Sequence, residues 1–195
     1  MHGLINRALQ CFMRDTYGEA VWEEVASHAG LGLRDFEAMI CYPDELTFRA
    51  LDSACTLLNK PRDVLLEDLG TYLVSHENLE PVRRILRFGG DSFHEFLHSL
   101  DELPDRVRLA VPDLRLPQIE VREHSPGALT LRCFGACPGF GHVLVGILQA
   151  MADDYGTLAL LEHKGAGNGE EVVSALLLDA DFARGRSFSL TPDRL

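Results

Sequence analysis

Apolar residues recur at three- and four-residue intervals over the first thirty positions: Leu4, Ile5, Ala8, Leu9, Phe12 and Met13, then Val21, Trp22, Val25 and Ala29. That spacing lines one face of an amphipathic helix. Gly18 permits a break between two such helices, and Gly30 supplies the left-handed residue that commonly ends one. Further helices are predicted over 33–39, 44–60, 61–75 and 78–87, with Pro61 suited to a helix start because its missing N–H costs nothing there. In "GGDSFHEFLHSLDEL", Asp91 or Ser92 caps a helix whose stripe is Phe93, Phe96, Leu97 and Leu100. Pro104 is expected to terminate or kink that helix.

The pattern changes after about residue 110. "PQIEVREHSPGALTLRCFG" alternates apolar and polar residues around a Pro-Gly turn, which predicts a hairpin. "HVLVGILQAMADDYG" predicts a helix, and "TLALLEHKGAGNGEEVVSALLLD" a second hairpin with a glycine-rich tip. The order implies an α+β fold: an N-terminal helical subdomain, then an antiparallel sheet packed by a helix. A single domain over 1–190 is expected, with 1–60 helical, 61–190 helices plus sheet, and 191–195 a short polar tail with no room for an effector domain.

A chain of 195 residues that is 46% hydrophobic can bury a sizeable core. Its 18 Lys and Arg stand against 30 Asp and Glu, a formal charge of -12. That balance disfavours nucleic acid and anionic membrane as partners, since phosphates require a positive field. Arg83, Arg84 and Arg87 cluster at helical spacing and are expected on a solvated helix face. No apolar run approaches the ~20 residues that span a bilayer, and Arg7 and Arg14 interrupt the N-terminal apolar positions, unlike a cleaved signal. Five scattered cysteines do not form a secreted disulfide framework, so a reducing cytoplasm is the expected compartment.

Several stretches together resemble the haem–nitric oxide/oxygen-binding (H-NOX) family. They are the opening "MHGLINRALQCFMRDTYGEAVWEEVASHAGL", the middle "RFGGDSFHEFLHSLDEL", then "VPDLRLPQIEV" and "LRCFGACPGFGHVLVGIL", in the family's order. The resemblance implies the H-NOX fold and a sensory or regulatory role exercised through a separate effector: a cyclase, a cyclic-dinucleotide enzyme or a histidine kinase. It also implies where haem would bind, and there the sequence departs from the family. The proximal histidine position falls on Pro104, which has no lone pair for iron. The family's Tyr-x-Ser-x-Arg motif for the haem propionates falls on Cys133, Gly135 and Cys137, which hold anions poorly. Pro117 stands where the family packs a proline against haem, and Ile5, Leu9, Val74 and Leu144 stay apolar where it lines its cavity.

Haem bound in the usual His-ligated way is therefore not expected. One alternative is a haem sensor with a substitute axial ligand, His142 being the candidate from the opposite face. Another is a redox or metal sensor using Cys133 and Cys137. An extended strand would hold those two about 13 Å apart, so a disulfide needs a turn at Gly135. Small buried residues are the default for both, while Cys11 and Cys55 fall on core faces and Cys41 is expected to be structural. His94 and His98 are off the phase of Pro104 and expected on the polar rim; His2, His28, His76, His124 and His163 show no paired metal spacing, and no metal is expected. "GAGNGEE" lacks the Lys-Ser/Thr of a phosphate loop, and no motif supports enzymatic activity. Losing a porphyrin leaves a void that packed interiors do not tolerate. Partial collapse is expected, with a residual apolar pocket able to take a small apolar ligand.

Overall fold

A computed structural model describes residues 1–135 and 137–188, so the predicted tail 191–195 lies outside the described residues. The helices are α1 (Gly3–Tyr17), α2 (Glu19–His28), α3 (Asp44–Leu58), α4 (Arg62–Ser75), α5 (Glu80–Arg87), α6 (Phe93–His98), α7 (Leu103–Ala110) and α8 (Phe140–Tyr155). The strands β1 (Gln118–Ser125), β2 (Ala128–Phe134), β3 (Leu158–Gly167) and β4 (Glu170–Asp179) form one antiparallel sheet in the order β1-β2-β4-β3. Both predicted hairpins are present. The second turns through Asn168 and Gly169, both at positive φ, as tight hairpin turns require.

Three sequence expectations change. Residues 33–39 form no helix, because side chains of α1 take up the backbone groups of this segment. Gln10 Oε1 accepts from the Phe36 N–H at 2.9 Å, Arg7 donates to the Phe36 carbonyl, and Gln10 and Arg14 both donate to Asp35. Pro104 does not end a helix. α6 stops at His98, a 3-10 turn covers Ser99–Glu102, and Pro104 falls in the first turn of α7, where a missing N–H is harmless. The arginines of α5 do not form a solvated face either. Arg83 is buried and donates to the buried Asp154 of α8, with Nη2 at 2.7 Å from Oδ1. The Arg87 guanidinium lies 3.9 Å over the Tyr155 ring. Removing one partner of such a buried pair costs about 3–5 kcal/mol, because the other charge is left without compensation.

Two apolar clusters organise the chain. The first holds Leu9, Phe12, Trp22, Val25 and Phe36 with Leu65, Leu69 and Tyr72 of α4. The second holds Val74 of α4 with Phe93, Phe96, Leu97 and Leu100, the inward residues of the sheet, and Leu144, Leu148 and Met151 of α8. α4 thus contributes to both, and it meets α8 backbone to backbone. A Cβ on Gly70 would lie 2.1 Å from the Val143 carbonyl oxygen, and one on Gly146 would lie 2.0 Å from that of Glu67. Thr71 Oγ1 donates to the Gly146 carbonyl across the same crossing.

Gly146→Ala must therefore push the two helices apart, and a loss of about 3 kcal/mol or more is expected in urea unfolding. Gly167→Ala meets open space and serves as the control, with an expected change within about 0.5 kcal/mol. Equal stability of the two variants would show that α4 and α8 are not in this contact.

Candidate functional site

β2 ends at Phe134, and the chain then turns through Gly135 at φ 66° and Gly139 at φ 95° into α8. A helix start leaves N–H groups without intrahelical partners and attracts negative charge. Here β4 supplies that charge. Glu171 is buried, and its two carboxylate oxygens accept from the Gly139 and Gly141 N–H groups, each at 2.7 Å. A Cβ on Gly141 would lie 2.6 Å from that carboxylate, so glycine is needed for the approach. His163 Nε2 stands 3.2 Å from the same group, and its ring packs 4.1 Å from that of His142. His142 Nδ1 in turn lies 2.9 Å from Glu67 Oε1 on α4.

Cys133, Gly135 and Cys137, the positions that the sequence reading compared with the family's motif, lie next to this arrangement. Cys133 pairs with Glu171 across β2 and β4, is fully buried, and its thiol is pushed up to about 12 by desolvation and then by Glu171 and Glu170. Gly135 is exposed with open space around it, and Ala136 lies outside the described residues. Cys137 is half-buried, and burial raises its thiol too, followed by the field of Asp44. The strongest local feature is thus a fixed carboxylate already seated on a helix start. An incoming carboxylate would meet repulsion from Glu171, with neither hydroxyl nor guanidinium from positions 133, 135 and 137 to hold it.

The proposed cavity residues do not share one hollow. Leu9 belongs to the first cluster, Val74 and Leu144 belong to the second, and Ile5 and Pro117 are half-buried. Pro104 is buried beside Leu103. Exposure is 0% at Leu97, Leu100 and Cys133, 1% at Leu144 and 3% at Val74, so no solvent-sized void borders them. Around those five residues the space between helices and sheet is taken up by side-chain packing. Hollows of about 400 Å³ and 430 Å³ open elsewhere, against Trp22 and Leu33 and against Arg87 and Phe88. The side chains at positions 104, 133, 135 and 137 are proline, cysteine, glycine and cysteine, which offer no imidazole to iron and no positive charge to a haem propionate.

Among the remaining positions, Cys11 and Cys55 pack against the first cluster as expected, while Cys41 is exposed and pairs through its backbone with His2. No disulfide joins the five cysteines. Two features escaped the sequence reading. Glu171 looks like any strand glutamate until its inward register opposite Cys133 is known. His94 and His98 converge with Glu123 of β1, and their i, i+4 spacing was the available signal.

The helical subdomain, the four-stranded sheet after it and the helix that crosses between them define an α+β module. The chain belongs to the haem-NO-binding (H-NOX) family, whose profile matches residues 2–163. It is 25% identical over 79% of its length to soluble guanylate cyclase gcy-31 of Caenorhabditis elegans, and 28% identical over 48% to the guanylate cyclase soluble subunit beta-2 of Rattus norvegicus. It spans only 22% and 14% of those proteins. An Fe(II) unliganded H-NOX protein from K. algicida superposes with a TM-score of 0.77 at 17% identity, over 92% of this chain and 97% of that one. An H-NOX protein from S. oneidensis in the Fe(II)NO state gives 0.73 at 19%, over 92% and 100%. At those identities the likeness establishes the fold. No helix among the described residues is long and apolar enough to cross a membrane.

A thiol at about 12 is almost wholly protonated at neutral pH, and the thiolate is the reactive form. Peroxide treatment of the folded protein, followed by alkylation and mass spectrometry, is expected to leave Cys133 reduced while the exposed Cys41 is modified first. A 133–137 disulfide formed without unfolding would contradict this.

Proposed function

We propose that this chain is a regulatory module of the H-NOX family that works without haem and catalyses no reaction itself. The observation that supports it is the closed cluster of Val74, Leu97, Leu100, Leu103, Cys133 and Leu144 beside the buried Pro104. Iron accepts few protein ligands, and proline is not among them. The side chains that would hold propionates are absent from positions 133, 135 and 137, while Glu171 already neutralises the helix start that such an anion would approach.

The module acts on a separate signalling effector. Of the three candidates the family suggests, a cyclase is favoured, because the curated relatives are soluble guanylate cyclases in which a matching segment is one part of a longer chain. A cyclic-dinucleotide enzyme and a histidine kinase are the other two. Nucleic acid and anionic membrane are disfavoured by the charge of -12, and a cytoplasmic setting suits five unpaired thiols.

His142 is the only substitute ligand with any support, since it starts α8 beside the altered motif. Its ring is engaged by Glu67 and His163 rather than turned into the apolar cluster. Protein purified with added haem is therefore expected to show no Soret band of histidine-ligated iron and no response to nitric oxide. Pro104→His alone recovers little, because each missing charge-assisted propionate contact is worth about 1.5–3 kcal/mol. A stoichiometric haem complex of the unaltered chain, abolished by His142→Ala, would overturn the haem-free assignment in favour of the substitute ligand.

A further inference from the structure

α6 carries His94 and His98 one turn apart, so both imidazoles leave the same face of the helix. The helix is short but firmly started. Ser92 accepts from the Glu95 N–H, and the Glu95 side chain accepts from the Ser92 N–H in return. Facing this pair is Glu123 of β1, at the register shift that precedes the Ser125–Ala128 pairing. His94 Nε2 lies 3.2 Å and 3.3 Å from the two carboxylate oxygens, and His98 Nε2 lies 3.0 Å from Oε2. One donor atom from each of the three residues falls within 4.8 Å of the others.

We propose that His94, His98 and Glu123 form a binding site for a divalent transition-metal ion of the zinc class. The chemistry of the donor set points there. Two neutral imidazole nitrogens with one carboxylate suit zinc, cobalt, nickel or copper and are a poor set for calcium or magnesium, which take oxygen. Tetrahedral zinc with bonds of 2.0–2.1 Å has ligand-to-ligand edges of about 3.3 Å. The observed nitrogen–oxygen separations of 3.0–3.3 Å are close to those edges, and all three donor atoms lie within 4.8 Å of one another.

The carboxylate is also held in place from outside the triad. The Gly127 N–H donates to Glu123 Oε1 at 3.0 Å, orienting the group in the way outer partners orient metal ligands. Both histidines are 43–44% exposed along their side chains, which leaves an open face for a water molecule as fourth ligand. The site joins α6, two turns before Pro104, to the edge hairpin of the sheet. It is independent of whether the chain holds haem.

The test is titration of the full chain with Co(II), followed by its visible ligand-field absorption, and with Zn(II) by calorimetry and thermal melting. One equivalent of Co(II) is expected to develop bands of a low-coordinate site, and Zn(II) is expected to raise the melting temperature. His94→Gln and His98→Gln should each weaken binding about tenfold or more, and Glu123→Gln should do so as well. His124→Gln, next in sequence but directed to Thr130, should leave it unchanged. Far-UV circular dichroism establishes that these surface variants stay folded. No saturable binding by the unaltered chain, or binding of equal strength in the His94→Gln/His98→Gln double variant, would overturn the proposal.

Discussion

The bare-backbone crossing of α4 and α8 is the constraint on which the rest of the molecule depends. Gly70 and Gly146 let the two helices approach until each would-be Cβ falls about where the partner's carbonyl oxygen stands. α4 contributes Leu65, Leu69 and Tyr72 to the first apolar cluster and Val74 to the second, so this one helix couples two cores. α8, pressed against it, carries Leu144, Leu148 and Met151 onto the inward face of the sheet. Its far end is anchored by the Asp154–Arg83 pair, which draws α5 in.

The start of α8 is fixed in a different manner. There the orphan N–H groups of the helix meet the Glu171 carboxylate of β4, and the neighbouring histidines tie the same turn to α4 and β3. Each contact holds the start of α8 against the sheet or α4. Cys133 and Leu144 pack in the second apolar cluster, Pro104 is buried beside Leu103, and the buried Glu171 sits at the start of α8. The replacements are mutually consistent: a proline that starts α7, a small buried thiol, and a carboxylate that needs glycine at position 141 to reach its donors. They describe an interior adapted to its own side chains, with the family's outer architecture kept.

Much of this architecture was legible in the sequence because local periodicity encodes it. The 3.6-residue stripes of α1, α3, α4 and α8 and the alternation of both hairpins need no tertiary knowledge. Segment 33–39 misled because its backbone partners are Gln10 and Arg7 and its Asp35 carboxylate is held by Arg14, all more than twenty residues away in sequence. The Arg83 cluster misled for the same reason: its partner Asp154 lies 71 positions on. At the site, the residues at 104, 133, 135 and 137 were singled out by resemblance alone. Glu171 and Glu123 could not, since each acts across about thirty residues through strand register and bulge geometry. Only the His94–His98 spacing was visible beforehand, and without Glu123 it offered two ligands of an incomplete set.

The central claim is that side chains of this chain occupy the slot where its relatives carry their cofactor. The most direct measurement is methyl NMR of the folded protein with Leu144 and Val74 assigned, recorded before and after saturation with haemin. A closed interior leaves both resonances in place, apart from nonspecific broadening at the surface. Large, saturable ring-current or paramagnetic shifts at Leu144 and Val74, at one haemin per chain, would contradict it.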